Sequence, residues 1–338
     1  MKIMFFAHDP GGGNSIQPLI EPLKNVGHEV FVFAKGPSLN ILDNSSEYIE
    51  GMMEKIKPDL IITGTSGDDF TERNLWTKSK NLGIKSIAIL DHWINYGMRF
   101  SKYNSYNFKL YNKKCDFLPT YIIVMDEYAK EEMIKDGVPS DIIFPLGNQH
   151  FENIVNKYDV TENIKYKLVD NNDFLITFAS QPYSEFYKNN VEIIVLEDLM
   201  KVVENLQNVK ILARSHPREN KNKYLKYKSE KVIIENQYKP IEIIKASDLI
   251  VSITSMFLIE SMLVGKKCIS YQPHETNKNN FVMTKNNELK FINNYKDFKE
   301  EVIYQYNMKD SGKNKKLSIE NSLEKTISFI EGLSKNEK

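Results

Sequence analysis

Residues 209–265 constrain the fold more than any other stretch of this 338-residue chain. They hold two apolar runs, VKILARSHP and DLIVSITS, and each run stops at a cluster of polar groups. The first ends at Arg214, Ser215, His216 and Pro217. The second ends at Ser252, Thr254 and Ser255, and MFLIESMLVGKK follows at once with the character of a helix. Apolar runs of this length that alternate with helices predict buried parallel strands. In an open α/β sheet the carboxyl ends of the strands form the ligand crevice. Hydroxyls at a helix start cap its free N–H groups, and those groups together with the helix dipole bind anions. Arg214, His216 and Arg218 would add positive charge at the same place. The segment therefore predicts a phosphate site, although a capped helix beside a solvated Arg–His turn would use the same residues with no ligand.

The same strand, polar loop and helix recur along the chain. KIMFFA at 2–7 predicts a first strand, followed by HDPGGGNS and a helix to about Val26. Glycines let backbone approach a ligand closely and the helix start offers N–H donors, which makes Gly11, Gly12, Gly13 and Asn14 candidate ligand-facing residues. The loop is neither G-x-G-x-x-G nor a Walker sequence, which weakens dinucleotide and P-loop readings. EVFVFA at 29–34 is a second strand. PDLIITGTSGDDF then ends in Asp68 and Asp69, with Thr71 expected to cap the next helix and Glu72 in its first turn. IKSIAIL at 84–90 runs into DHWINYGMRF, which brings Asp91, His92, Trp93 and Arg99 to a strand end. Aromatic faces stack on sugar rings and polar groups fix hydroxyls, so Asp68, Trp93 and Arg99 are candidates for an acceptor site. Turn, capping or wet surface-loop roles would account for the same residues. Residues 101–118 read as a long loop, and NIVNKYDVTENIKYKLVDNN as a linker. NDFLITFASQPY opens a second sheet and places Gln181 after its strand.

Composition limits the rest. Apolar residues make up 41% of the chain, enough for real cores. Lys and Arg total 45 and Asp and Glu total 45, which argues against a general field for nucleic acid. Two cysteines, Cys115 and Cys268, make neither a disulfide framework nor a zinc site. No run approaches the roughly 20 apolar residues of a membrane span. The expectation is a cytoplasmic protein, with peripheral membrane association and oligomeric state left open. The chain length suits two domains, placed at 1–150 and 151–338, with a terminal helix around LEKTISFIEGL that crosses back to the first.

The HP after a strand, the S-x-T-S, Glu260 and Gly265 together resemble the donor half of GT-B glycosyltransferases. The Gly-rich turn after the first strand resembles the opening of the same enzymes; where several relatives carry a His after the glycines this chain has Asn14, with His8 and Asp9 before them. The pairing of HP with Ser/Thr is similar to that of bacterial sialyltransferases and polyol-phosphate polymerases. UDP-N-acetylglucosamine 2-epimerases share a similar HP. The resemblance implies two Rossmann-like α/β domains facing a cleft. It also implies a nucleotide sugar as substrate, no cofactor and no bound metal. It assigns donor binding to Arg214, His216, Arg218, Ser252, Thr254, Ser255, Glu260 and Gln181, with Glu260 on the ribose. The expected reaction is transfer of a sugar from a UDP-, CMP- or CDP-linked donor to a glycan or lipid-linked glycan. Alternatives are an isomerase or hydrolase of the 2-epimerase type, which would use Asp9, Asp69 and Asp91 for deprotonation, and a non-catalytic nucleotide-sugar binding protein. For the catalytic base, Asp69 ranks ahead of Asp9 and His92.

Overall fold

The structure is a computed structural model, and it describes residues 1–104, 106–184, 190–273, 275–278, 281–308 and 321–335. The chain divides into two compact units. One is Met1–Asn153 with Ile319–Lys338, and the other is Ile154–Ser318.

The first unit is built on a seven-stranded sheet. Its strands are β1 (Lys2–Ala7), β2 (Glu29–Ala34), β3 (Ser46–Glu47), β4 (Leu60–Thr63), β5 (Lys85–Ile89), β6 (Tyr121–Val124) and β7 (Ile143–Pro145). They lie in the order β3-β2-β1-β4-β5-β6-β7, and every pairing is parallel. The physical cause is in the sequence: β1, β4 and β6 are apolar at nearly every position and buried along almost their whole length, which only a sheet covered on both faces permits. Ile3, Phe5 and Ala7 pack beneath Ile16, Leu19 and Leu23 of the helix Pro10–Asn25. Met4, Phe6 and Ile61 pack on the other side with Met53 and Leu75.

The second unit has a five-stranded parallel sheet of β8 (Phe174–Ala179), β9 (Val209–Arg214), β10 (Val232–Ile234), β11 (Leu249–Ser252) and β12 (Lys267–Ser270). Its order is β10-β9-β8-β11-β12. One core cluster joins Phe174, Ile176 and Phe178 to Val195, Leu196 and Leu199 of the helix Val191–Val203.

In both sheets the winding reverses at one place, between β1 and β4 and between β8 and β11. At such a switch point the two flanking loops run to opposite sides and leave a crevice at the strand carboxyl ends. His8 follows β1, Gly64 follows β4, Ser180 follows β8 and Ile253 follows β11. The candidate residues at the ends of these strands therefore flank the two switch points.

One expectation is corrected: the helix Gln149–Val160 runs into the stretch 153–172 that reads as a linker. Ile154 and Tyr158 are 6% and 7% exposed and lie four residues apart on one face, a stripe hidden by the polar residues around them. The boundary between units falls inside this helix. The terminal helix Ser322–Lys335 belongs to the first unit, where Ile330 and Leu333 join the Ile16–Leu19 cluster. Gln149 is fully buried and bonds Thr326 of that helix. The loop 101–118 includes a short 3-10 turn at Phe108–Leu110.

Candidate functional site

One candidate site lies in the first unit, at the β1–β4 switch point. Asp9 occupies the cap position of the helix Pro10–Asn25, but its carboxylate does not cap the helix. It turns back to His8, with Asp9 Oδ1 2.8 Å from His8 Nδ1. The other ring nitrogen, Nε2, lies 3.9 Å from Asp69 Oδ2 on the β4 loop. The imidazole is thus held between two carboxylates from two loops. Its pKa is raised from 6.5, first by the hydrogen bond with Asp9 and, against desolvation, by the charges of Asp69, Asp9 and Glu72. Gly36 leaves room for the ring: it has φ +52°, and a Cβ there would be 2.7 Å from His8 Nε2.

Asp69 also organises its own loop. Its Oδ1 accepts the Thr71 N–H at 2.8 Å, and the N–H groups of Asp68 and Asp69 both donate to Ser66 Oγ. The expected cap at Thr71 is therefore displaced: Thr71 is the first residue of the helix Thr71–Asn81, and its hydroxyl receives Lys35 Nζ at 3.2 Å.

The glycine run is also corrected. Gly11, Gly12 and Gly13 lie in the first turn of the helix, not in a free loop. A Cβ on Gly12 would be 3.0 Å from Gly64 Cα, and one on Gly13 would be 2.8 Å from Ser38 Oγ. On Gly11 it would meet Asp91 Oδ2 at 1.6 Å. The glycines thus admit protein groups at close range, and Asn14 follows them within the same helix. Asp91 enters the site this way: Oδ2 stands over Gly11 while Oδ1 pairs with Arg99 Nη1 at 2.6 Å.

Arg99 is 8% exposed, and its Nη1 also donates to the Thr65 carbonyl and hydroxyl. It orients Asp91, which leaves that nitrogen committed within the protein. Trp93 donates its indole N–H to Asp126 at 2.8 Å and stacks on Phe151 at 5.8 Å between ring centroids. Burial pushes the pKa of His92 down to about 4, so the ring is neutral near pH 7, and its Nδ1 has no partner among the described residues.

Sequence reading missed the buried pair Glu72 and Arg73. Glu72 is 1% exposed and accepts the N–H groups of His8 and Ser66. Burial, with Asp9 next in weight, raises its pKa to about 8. Arg73 is fully buried and donates to the carbonyls of Arg99, Gly67 and Met98. The signal was present in the spacing: Glu72 lies three and four residues before Leu75 and Trp76, on the buried face of the helix.

A separate candidate site lies in the second unit, at the β8–β11 switch point. Gln181 Oε1 accepts the Thr254 N–H at 2.7 Å, and Gln181 Nε2 and Tyr183 OH both reach Thr254 Oγ1. Ser255 caps the eight-residue helix Met256–Leu263 by accepting the Phe257 N–H. Arg214 sits over the Phe257 ring at 5.9 Å, and burial lowers its pKa against the charges of Glu260 and Glu235. Glu260 is 8% exposed on that helix. Ser252 is corrected: it is fully buried and its hydroxyl donates to the Ala179 carbonyl, so it is a core group and not a phosphate ligand. The HP turn is braced from behind, with the His216 N–H on Glu219 Oε2 and the Arg218 N–H on His216 Nδ1. Glu219 in turn joins Lys223, Glu192 and Tyr224 in a buried ion network. A cavity of about 900 Å³ opens beside that network, lined in part by Asn190, Glu197, Lys223, Lys226 and Tyr227, and not by Gln181, Thr254 or Ser255. Among the described residues no group of three or more His, Cys, Asp or Glu could hold a metal ion. No helix among them is long and apolar enough to cross a membrane.

No family model matches the chain, and no curated protein matches it. Solved structures do. UDP-GlcNAc 2-epimerase from Neisseria meningitidis, bound to UDP-GlcNAc, matches with a TM-score of 0.69 at 15% identity, over 99% of this chain and 100% of its own. The enzyme of the same name from Methanocaldococcus jannaschii matches with a TM-score of 0.67 at 16% identity, over 99% of each chain. MnaA of S. aureus, solved with UDP, matches with a TM-score of 0.70 at 13% identity, over 99% and 97%. The chain has the GT-B-like fold of these proteins. The expectation of glycosyl transfer is corrected by this finding, because full-length matches carry the name UDP-GlcNAc 2-epimerase.

Proposed function

We propose that the chain is an enzyme acting on a nucleotide sugar, an isomerase or hydrolase of the UDP-N-acetylglucosamine 2-epimerase type. The observation that carries the reading is the set of acid–base groups at the β1–β4 switch point: His8 between Asp9 and Asp69, with Asp91 over Gly11. Inverting C2 by proton transfer requires a base to remove its proton, departure of the UDP group from the neighbouring carbon to take up the electron pair, and an acid to return a proton to the opposite face as UDP, or water in its place, adds back. Carboxylates beside an imidazole whose protonated form is favoured supply both kinds of group near neutral pH. Asp69 and Asp9 are the candidate bases, and His8 is the candidate acid. Asp91, fixed by Arg99, is a further carboxylate for the second face.

The second switch point suits the nucleotide. Thr254, Ser255, Gln181 and the first N–H groups of the helix Met256–Leu263 offer donors to a diphosphate, with positive charge from Arg214, His216 and Arg218. Glu260 is assigned to the ribose hydroxyls. The diphosphate charge is met by these groups, so the reading includes no metal and no cofactor. The test is incubation with UDP-GlcNAc and no acceptor. The expected products are the 2-epimer, or UDP with the released epimeric sugar. Absence of turnover, or turnover only when a glycan is added, rejects the reading.

A further inference from the structure

We propose that Glu72 is a positioning residue of this site, which registers His8 and Asp9 on one turn against Asp69 on the other. The proposal rests on the reading above, in that the His8 cluster is where the chemistry occurs. Glu72 itself is too deeply buried to reach a substrate. Its two oxygens divide between two chain segments. Oε1 accepts the N–H of His8, the first residue after β1, at 3.4 Å, and Oε2 accepts the N–H of Ser66, on the β4 loop, at 2.5 Å. These are the two strands that flank the switch point. A third contact closes the arrangement: a Cβ on Gly64 would be 3.2 Å from Oε1 and 2.7 Å from Gly12 Cα. Shifting either turn would therefore break a bond to Glu72 or drive backbone into backbone.

A carboxylate is an unusual choice for this task. Two backbone donors that reach different oxygens need two acceptor atoms, which a carboxylate supplies and an amide, with one oxygen, does not. Burying its charge is costly when no cation bonds it. The charged groups around it are Asp9 and His8 on the β1 turn, Asp69 on its own loop, and Arg73 next to it on its own helix. Desolvation and the two aspartates push its proton affinity up, so the residue that sets the spacing of the cluster also feels its charge.

The test uses the full chain and needs no substrate for its first arm. The His8 ring is followed by ¹⁵N–¹H NMR as a function of pH in the wild type and in Glu72→Gln. The expected result is that His8 titrates at lower pH in the variant, because the two turns lose one shared acceptor and Asp69 no longer stands in register with the ring. In the second arm, kcat falls about tenfold or more while KM stays within about threefold, and the basic limb of the pH–rate profile moves to lower pH. An unchanged His8 titration with an unmoved pH profile overturns the proposal, even where the melting temperature falls, because a plain staple would lower stability alone. If Glu72→Gln does not fold, Glu72→Asp keeps both carboxyl oxygens and shortens the reach. It is expected to lose kcat with KM nearly unchanged, and equal kcat overturns the proposal. If the wild type does not turn over UDP-GlcNAc, the reaction reading fails while the NMR arm still decides the role of Glu72.

Discussion

Asp69 uses its two carboxylate oxygens differently: Oδ1 holds the Thr71 N–H and Oδ2 faces His8. Asn at this position keeps an acceptor for the backbone and loses the basic oxygen. Asp69→Asn is therefore expected to lower turnover about a hundredfold or more while leaving nucleotide affinity near that of the wild type. Normal turnover in this variant moves the base to Asp9 or Asp91. His8 gives a second prediction. A group whose folded pKa is raised stabilises the fold fully below its unfolded value of 6.5, and that stabilisation is lost as pH rises through the folded value. The melting-temperature gap between wild type and His8→Gln should therefore be widest below pH 6.5 and narrow above it, in melts from about pH 5 to about pH 9. A gap that does not change with pH contradicts the ion cluster. At this scale the sequence showed which polar residues end strands, because strand ends are marked by the change from apolar to polar. It did not show that Ser252 turns its hydroxyl into the core, or that Trp93 spends its ring on Phe151. Those outcomes depend on neighbours distant in the chain.

The helix Pro10–Asn25 shows what an element can hide. Its glycines were read as open to a ligand, yet they admit Gly64 and Asp91. A Gly-rich helix start announces a close approach, but its partner comes from another strand and leaves no mark beside the glycines. Gly12→Ala places a Cβ 3.0 Å from Gly64 Cα, with backbone on both sides and no flexible side chain to yield. The expected cost is about 1–3 kcal/mol, read as a fall in melting temperature of several degrees. An unchanged melting temperature would mean that the two turns have slack, and would also weaken the case for Glu72 as their tie. The helix Gln149–Val160 was illegible for the opposite reason, since its buried stripe is only a few residues wide within a polar sequence.

For the whole molecule, the α/β class with parallel sheets was legible because β1, β4, β8 and β11 are unbroken apolar runs. The strand order and its reversal were not, because the order depends on which side each crossover takes. Nor was the reaction, since an HP turn and a hydroxyl-capped helix serve any nucleotide diphosphate. The terminal helix offers a global test. Ile330 and Leu333 are buried in the first unit, so truncation after residue 320 removes roughly 3–6 kcal/mol of apolar burial as an upper bound. Both tryptophans, Trp76 and Trp93, lie in that unit, so the denaturation midpoint read by tryptophan fluorescence should fall. An unchanged midpoint would show that the helix contributes nothing to that core. Proton transfer at a carbon of a nucleotide sugar, as proposed, is tested directly by proton NMR in D₂O. The protein is incubated with UDP-GlcNAc and no acceptor. The 2-epimer is expected to appear with deuterium at C2, whether still linked to UDP or released, and Asp69→Asn is expected to suppress this exchange. An unexchanged C2 proton, with sugar released only onto an added glycan, would contradict it.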